Sequence, residues 1–121
     1  MSWDVEYTDE FGSWWNGLAA KGQEAVAASV RLLEEFGPNL GFPHTSGIKG
    51  SKHGNMRELR VQCGGRPYRV LFAFDPRRCA ILLIGGDKTG DDLWYVKNVP
   101  VAERIYEEHL KTLKDEEWPD G

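Results

Sequence analysis

The tightest constraint on this chain comes from two neighbouring stretches whose apolar residues recur at every second position. Between Met56 and Cys63, Leu59 and Val61 fall on one side of an extended strand and Glu58, Arg60 and Gln62 on the other. Between Tyr68 and Phe74, Tyr68, Val70, Phe72 and Phe74 share one side, and Arg69 shares the other with Leu71 and Ala73. Gly64-Gly65-Arg66-Pro67 separates them as turn material. A hairpin that keeps its apolar faces together therefore brings Arg60 close to Arg69 across the strands. Two like charges directly opposite each other are destabilising. Either Glu58 bridges the two arginines or an anion binds between them.

The rest of the chain reads as short elements around that hairpin. Trp3, Val5 and Tyr7 alternate with polar residues, which predicts a half-buried strand. Thr8 is placed as an N-cap before Asp9 and Glu10, with Phe11, Trp14, Trp15 and Leu18 at helical spacing. After a break near Ala20–Gly22, Val26, Val30, Leu33 and Phe36 form the stripe of a second helix, which Gly37-Pro38 stops. Residues 38–54 are loop by composition. Asp75-Pro76-Arg77-Arg78 is a tight turn, and the apolar run Cys79–Ile84 predicts a strand buried on both faces. Gly85–Asp92 reads as a long loop. Pro100 predicts the first turn of a last helix, with Ala102, Ile105, Tyr106, Leu110 and Leu113 facing the core. The expected fold class is α+β, with an N-terminal strand and helical hairpin on an antiparallel three-strand meander, and a C-terminal helix. At 121 residues the chain is expected to form one domain over 1–113, with an acidic, frayed tail over 114–121.

Charge is segregated along the chain. The formal total is −4. Residues 44–88 carry 9 basic and 3 acidic side chains, and the flanking segments each carry a net −5. A basic middle third offers phosphate a local positive field whatever the total, although an ordinary solvated strand face would have the same composition. No apolar run reaches the length of a membrane span, and no secretion signal begins the chain, so a cytoplasmic location is expected. Cys63 and Cys79 read as reduced, core-filling thiols. His44, His53 and His109 have no metal-ligand spacing, so neither a metal nor another cofactor is expected, and His109 reads as a surface residue. The phosphate-loop pattern and the G-x-S-x-G elbow are both absent.

Three strings carry a family resemblance. They are Gly50-Ser51-Lys52-His53-Gly54-Asn55-Met56-Arg57-Glu58-Leu59-Arg60, then Gly65-Arg66-Pro67-Tyr68-Arg69-Val70-Leu71-Phe72-Ala73-Phe74-Asp75-Pro76-Arg77-Arg78, then Gly85-Gly86-Asp87-Lys88-Thr89-Gly90. From Trp3 to about Leu113 the chain resembles the phage-derived HigB-like group of the RelE/ParE toxin superfamily. The resemblance implies a RelE-like fold, a small sheet with helices on one face and a groove on the other. It further implies a ribosome-dependent endoribonuclease toxin that cuts mRNA in the A site, held in check by a helix-turn-helix antitoxin. Within that resemblance, Arg60 and Arg69 match the arginines of successive strands. Lys88 and Tyr95 match basic and aromatic positions beyond the last strand.

Metal-free RNA cleavage requires three things: a deprotonated 2′-hydroxyl, a stabilised pentavalent phosphate and a protonated leaving oxygen. Arg60 and Arg69 suit the phosphate, because guanidinium forks match its oxygens and keep their charge. His53 is a candidate base, or simply an exposed loop histidine. Tyr95 and Lys88 are candidates to orient or protonate the substrate, or else packing and surface charge. Lys49, Lys52, Arg57 and Arg66 are expected to contact the RNA backbone. Two other readings stay open: a ParE-like inhibitor of gyrase, and an inert module whose groove only holds an antitoxin.

Overall fold

The structure is a computed structural model that describes residues 2–52 and 55–116. In chain order its elements are β1 (Val5–Tyr7), α1 (Asp9–Asn16), α2 (Ala20–Phe36), β2 (Thr45–Gly47), β3 (Arg57–Cys63), β4 (Arg66–Phe74), β5 (Ala80–Asp87) and α3 (Trp94–Asp115). The strands form one sheet in the order β1-β5-β4-β3-β2. The expected meander is its antiparallel centre. β1 joins one edge parallel to β5, and β2 joins the other edge antiparallel to β3.

Thr8 caps α1 as expected, its side-chain oxygen accepting from the Phe11 amide at 3.1 Å. The same hydroxyl donates to the Leu83 carbonyl at 2.6 Å. Leu83 is the extra residue of a β-bulge, since Leu71 pairs with Ile84 while Phe72 pairs with Leu82. One side chain thus starts a helix and satisfies a carbonyl that the bulge exposes. The break between α1 and α2 falls at Gly17–Ala19, earlier than expected, so Gly22 lies inside α2 and buried, against the Tyr68 ring.

Helices cover both faces of the sheet. Against α1 and α2 pack Leu59, Val61, Val70, Phe72, Ala80 and Leu82, with Phe11, Val26 and Leu33. On the opposite face α3 packs Trp94, Ala102, Ile105 and Tyr106 on Leu71, Ala73, Ile81 and Leu83. The face that the resemblance left as an open groove is therefore partly occupied by α3. The bulge makes Leu83 and Ile84 face the same way, so the next two residues, Gly85 and Gly86, face opposite helices. A Cβ on Gly85 would stand 2.2 Å from the Trp14 ring, and one on Gly86 would stand 2.6 Å from that of Trp94. The Gly-Gly pair is thus strand rather than loop, its missing side chains admitting one indole on each face.

α3 begins at Trp94, so Pro100 lies inside the helix instead of opening it. The helix continues to Asp115, past the expected domain end at 113; residues 117–121 of the acidic tail lie outside the described residues. His109 is not a free surface residue either. Its Nε2 lies 2.9 Å from Asp75 Oδ2, and Asp75 also receives the Arg77 fork and the Arg77 and Cys79 amides. Arg77 extends to Glu6 of β1 at 2.9 Å. This chain of charges ties α3, the β4–β5 turn and β1 together. Burial alone would raise the Asp75 carboxyl, but hydrogen bonds from Arg77, His109 and the Cys79 amide outweigh it and hold it below the usual carboxylate range. Burial pushes the Cys79 thiol up to about 12, which keeps it protonated and inert. Both cysteines are free.

Candidate functional site

β3 and β4 pair with Arg60 directly opposite Arg69, as the alternation of their apolar residues requires. Glu58, on the same face, lies between the two arginines. Its Oε1 accepts from the Tyr95 hydroxyl at 2.5 Å and lies 3.2 Å from Arg69 Nε. Its Oε2 accepts from the Ser46 hydroxyl at 2.5 Å and lies 3.8 Å from Arg60 Nη1. Of the two ways to offset the paired positive charges, the structure uses the internal carboxylate.

The two guanidinium groups are not equivalent. Arg69 is 4 % exposed, and its Nη1 donates to the Tyr68 carbonyl at 2.9 Å. Its Nε is within ion-pair distance of Glu58 but makes no directed hydrogen bond, so charge rather than hydrogen-bond geometry holds that contact. Arg69 is therefore sealed below Glu58 and Tyr95, and the expectation of two open arginines side by side is corrected. The cover comes from α3, which the hairpin pattern does not reveal. Arg60 retains 31 % of its side-chain surface, and its guanidinium lies 5.2 Å from the centre of the Phe42 ring.

Tyr95 reaches this site because Trp94 seats on Gly86; the two rings pack edge to face at 5.2 Å. Burial, and then the hydrogen bond to Glu58, push the Tyr95 phenol up, so at neutral pH it holds its proton and acts as a donor. Lys88 continues β5, its amide bonding to the Pro67 carbonyl at 3.1 Å, and its ammonium lies 5.7 Å from the Tyr95 ring centre. Arg60 and Tyr95 thus share the Glu58 carboxylate with Arg69 beneath, and Lys88 lies against the outer side of the group through the Tyr95 ring.

The other expected contacts are scattered. Arg57 has the opposite parity in β3, and its fork is occupied by the carbonyls of Pro38 and Leu40 and the Thr45 hydroxyl, at 3.0–3.1 Å. It clamps the loop before β2. Lys49 lines an open cleft of about 840 Å³ at the far end of the sheet, with Trp3, Arg57, Asp75 and Arg78. Lys52 is exposed, and its loop is tied to α3 because the buried Glu103 carboxylate accepts from the Lys52 amide and the Ser51 hydroxyl. Arg66 pairs with Asp87 at 2.8 Å on the turn. His53 lies outside the described residues.

Ser46 and Phe42 were not among the expected site residues. Ser46 is carried by a three-residue strand with no apolar alternation, and only its pairing with Glu58 across β2 and β3 brings it in. Among the described residues no group of three His, Cys, Asp or Glu side chains is placed to hold a metal ion. No described helix is long and apolar enough to cross a membrane.

Comparison with known proteins bears on the family and the fold. The model of the phage-derived Gp49-like family matches residues 13–107. Two Mycobacterium tuberculosis proteins named as candidate toxins are similar. HigB2 is 40 % identical over 117 residues, which is 95 % of this chain and 58 % of that protein. HigB3 is 43 % identical over 98 residues, covering 80 % of this chain and 84 % of HigB3. The chain thus spans little more than half the length of HigB2. Among solved structures, a double arginine-to-alanine mutant of the Escherichia coli toxin RelE in the free state superposes with a TM-score of 0.57. That match covers 93 % of this chain and 99 % of RelE at 11 % identity, so the likeness is one of fold. With most of its length matched by the family model and a HigB relative above 40 % identity, the chain belongs to the phage-derived Gp49-like family and is HigB-like.

Proposed function

We propose that this protein is the toxin of a type II toxin–antitoxin pair and cleaves mRNA on the ribosome without a metal. The observation that carries the reading is Arg60, a partly exposed guanidinium that shares the Glu58 carboxylate with the Tyr95 hydroxyl. In this mechanism the 2′-hydroxyl loses its proton and attacks the adjacent phosphate. The bond to the 5′-oxygen breaks, and that oxygen leaves protonated with a 2′,3′-cyclic phosphate left behind. Arg60 and Lys88 stabilise the charge that builds on the phosphate oxygens. Tyr95, which keeps its proton at neutral pH, is a donor rather than the base. Arg69 acts from beneath, through Glu58, as a positioning residue. The ribosomal A site completes the acid–base geometry, and Arg66, Lys49 and Lys52 contact backbone phosphates further out. The partner is a helix-turn-helix antitoxin, and the place of action is the cytoplasm.

A second reading is an antitoxin-binding protein without turnover, and one observation favours it: Arg69 is buried against Glu58, out of reach of a substrate. Primer extension on cellular mRNA after induced expression separates the two. Cuts within codons, accompanied by growth arrest, support the toxin; normal growth with intact messages supports the inert module. DNA damage without cuts would point to gyrase.

A further inference from the structure

The turn before β2 holds an aromatic ring in water. Phe42 is 76 % exposed. An isolated exposed apolar side chain is ordinary on a protein surface, but this one is neither loose nor remote from the site. The His44 and Thr45 amides both bond to the Gly41 carbonyl, at 2.9 and 3.1 Å. The Arg60 amide bonds to the His44 carbonyl at 2.8 Å, extending the ladder to the residue that carries the open guanidinium. Arg57 clamps the same loop through Leu40 and Thr45. The backbone that carries the ring is thus held, with the Arg60 guanidinium 5.2 Å from the ring centre and most of the ring's surface uncovered.

From this geometry we propose that Phe42 is a stacking platform for a nucleobase of single-stranded RNA, next to the nucleotide whose phosphate Arg60 contacts. The inference rests on the RNA-directed reading above and adds a base-binding subsite to it. Flat aromatic rings take unpaired bases by their faces with little sequence preference, and an arginine on the ring adds its cation to the stack. The backbone clamp matters because a platform ordered before binding loses little freedom when the base arrives. Phe42 is a binding residue in this account and takes no part in proton transfer.

The test is fluorescence anisotropy of the full chain with a labelled, 2′-O-methylated RNA dodecamer, which binds without being cut. Phe42→Ala is expected to weaken binding about tenfold, a stacking-sized loss. Phe42→Trp is expected to bind at least as tightly as the wild type. An RNA with abasic sites should bind wild type and Phe42→Ala alike. Equal binding of intact RNA by wild type and Phe42→Ala overturns the platform, and so does an absence of measurable wild-type binding, since stacking needs no ribosome. Growth arrest and primer extension on the same strains keep the two failures apart. Arrest with mRNA cuts but no Phe42 effect rejects the platform alone, whereas neither arrest nor cuts in the wild type rejects the toxin reading.

Discussion

Two buried carboxylates, each beside arginine, meet α3 near its opposite ends, Glu58 at Tyr95 and Asp75 at His109, and they serve different purposes. Asp75 receives a guanidinium fork, an imidazole and two amides, and Arg77 passes the charge on to Glu6. Every strong partner there is a protein group, and the result joins α3, β1 and a turn. Glu58 also sits between charges, but it is held by two hydroxyls, one buried arginine without a directed bond, and one arginine at 3.8 Å. The second cluster leaves a guanidinium with capacity to spare. The difference between a structural tie and a site lies here in how completely the arginine is used.

The comparison is most easily broken at Asp75. Asp75→Ala strands a partly buried Arg77 and removes the His109 contact, and is expected to cost about 3 kcal/mol, read as a lower urea midpoint. Gly86→Ala should cost roughly 1–3 kcal/mol by pushing Trp94 off the sheet. Because Tyr95 follows Trp94, it should also loosen the Tyr95–Glu58 bond, seen as changed tyrosine and tryptophan near-ultraviolet signals. Tyr95→Phe removes one donor from Glu58, with an expected loss of about 1 kcal/mol and no change in secondary structure by circular dichroism. The smallest effect is in acid. Asp75 is held below its unfolded pKa, so its contribution is full above about pH 4 and fades as pH falls through the folded value. The stability gap between wild type and Asp75→Asn should therefore be constant near neutrality and narrow below about pH 4. A gap that widened in acid would reverse the sign assigned to Asp75.

Much of this architecture is written in local pattern. The placement of Arg60 opposite Arg69 follows from two runs of alternating apolar residues, because a one-residue slip would turn both strands inside out. Thr8 is legible as a cap because the capping chemistry is local. Gly85-Gly86 misleads because its strand identity depends on Trp14 and Trp94, which reach it from other elements. Pro100 misleads for a related reason: α3 continues N-terminally because Trp94 and Val99 are buried against the sheet face. The candidate residues were visible as types, but not the burial of Arg69, since its cover is a tyrosine brought in by α3. Alternation puts Arg57 and Arg60 on opposite faces of β3, but it does not show that the Pro38 and Leu40 carbonyls occupy Arg57.

The most direct measurement is primer extension on mRNA after induced expression of Arg60→Ala, with solubility and urea midpoint checked on the purified protein. If Arg60 is the open guanidinium that meets the RNA phosphate, the variant folds with little loss of stability, yet the codon-internal cuts and the growth arrest vanish. A soluble Arg60→Ala protein that still produces the wild-type cuts would contradict the account.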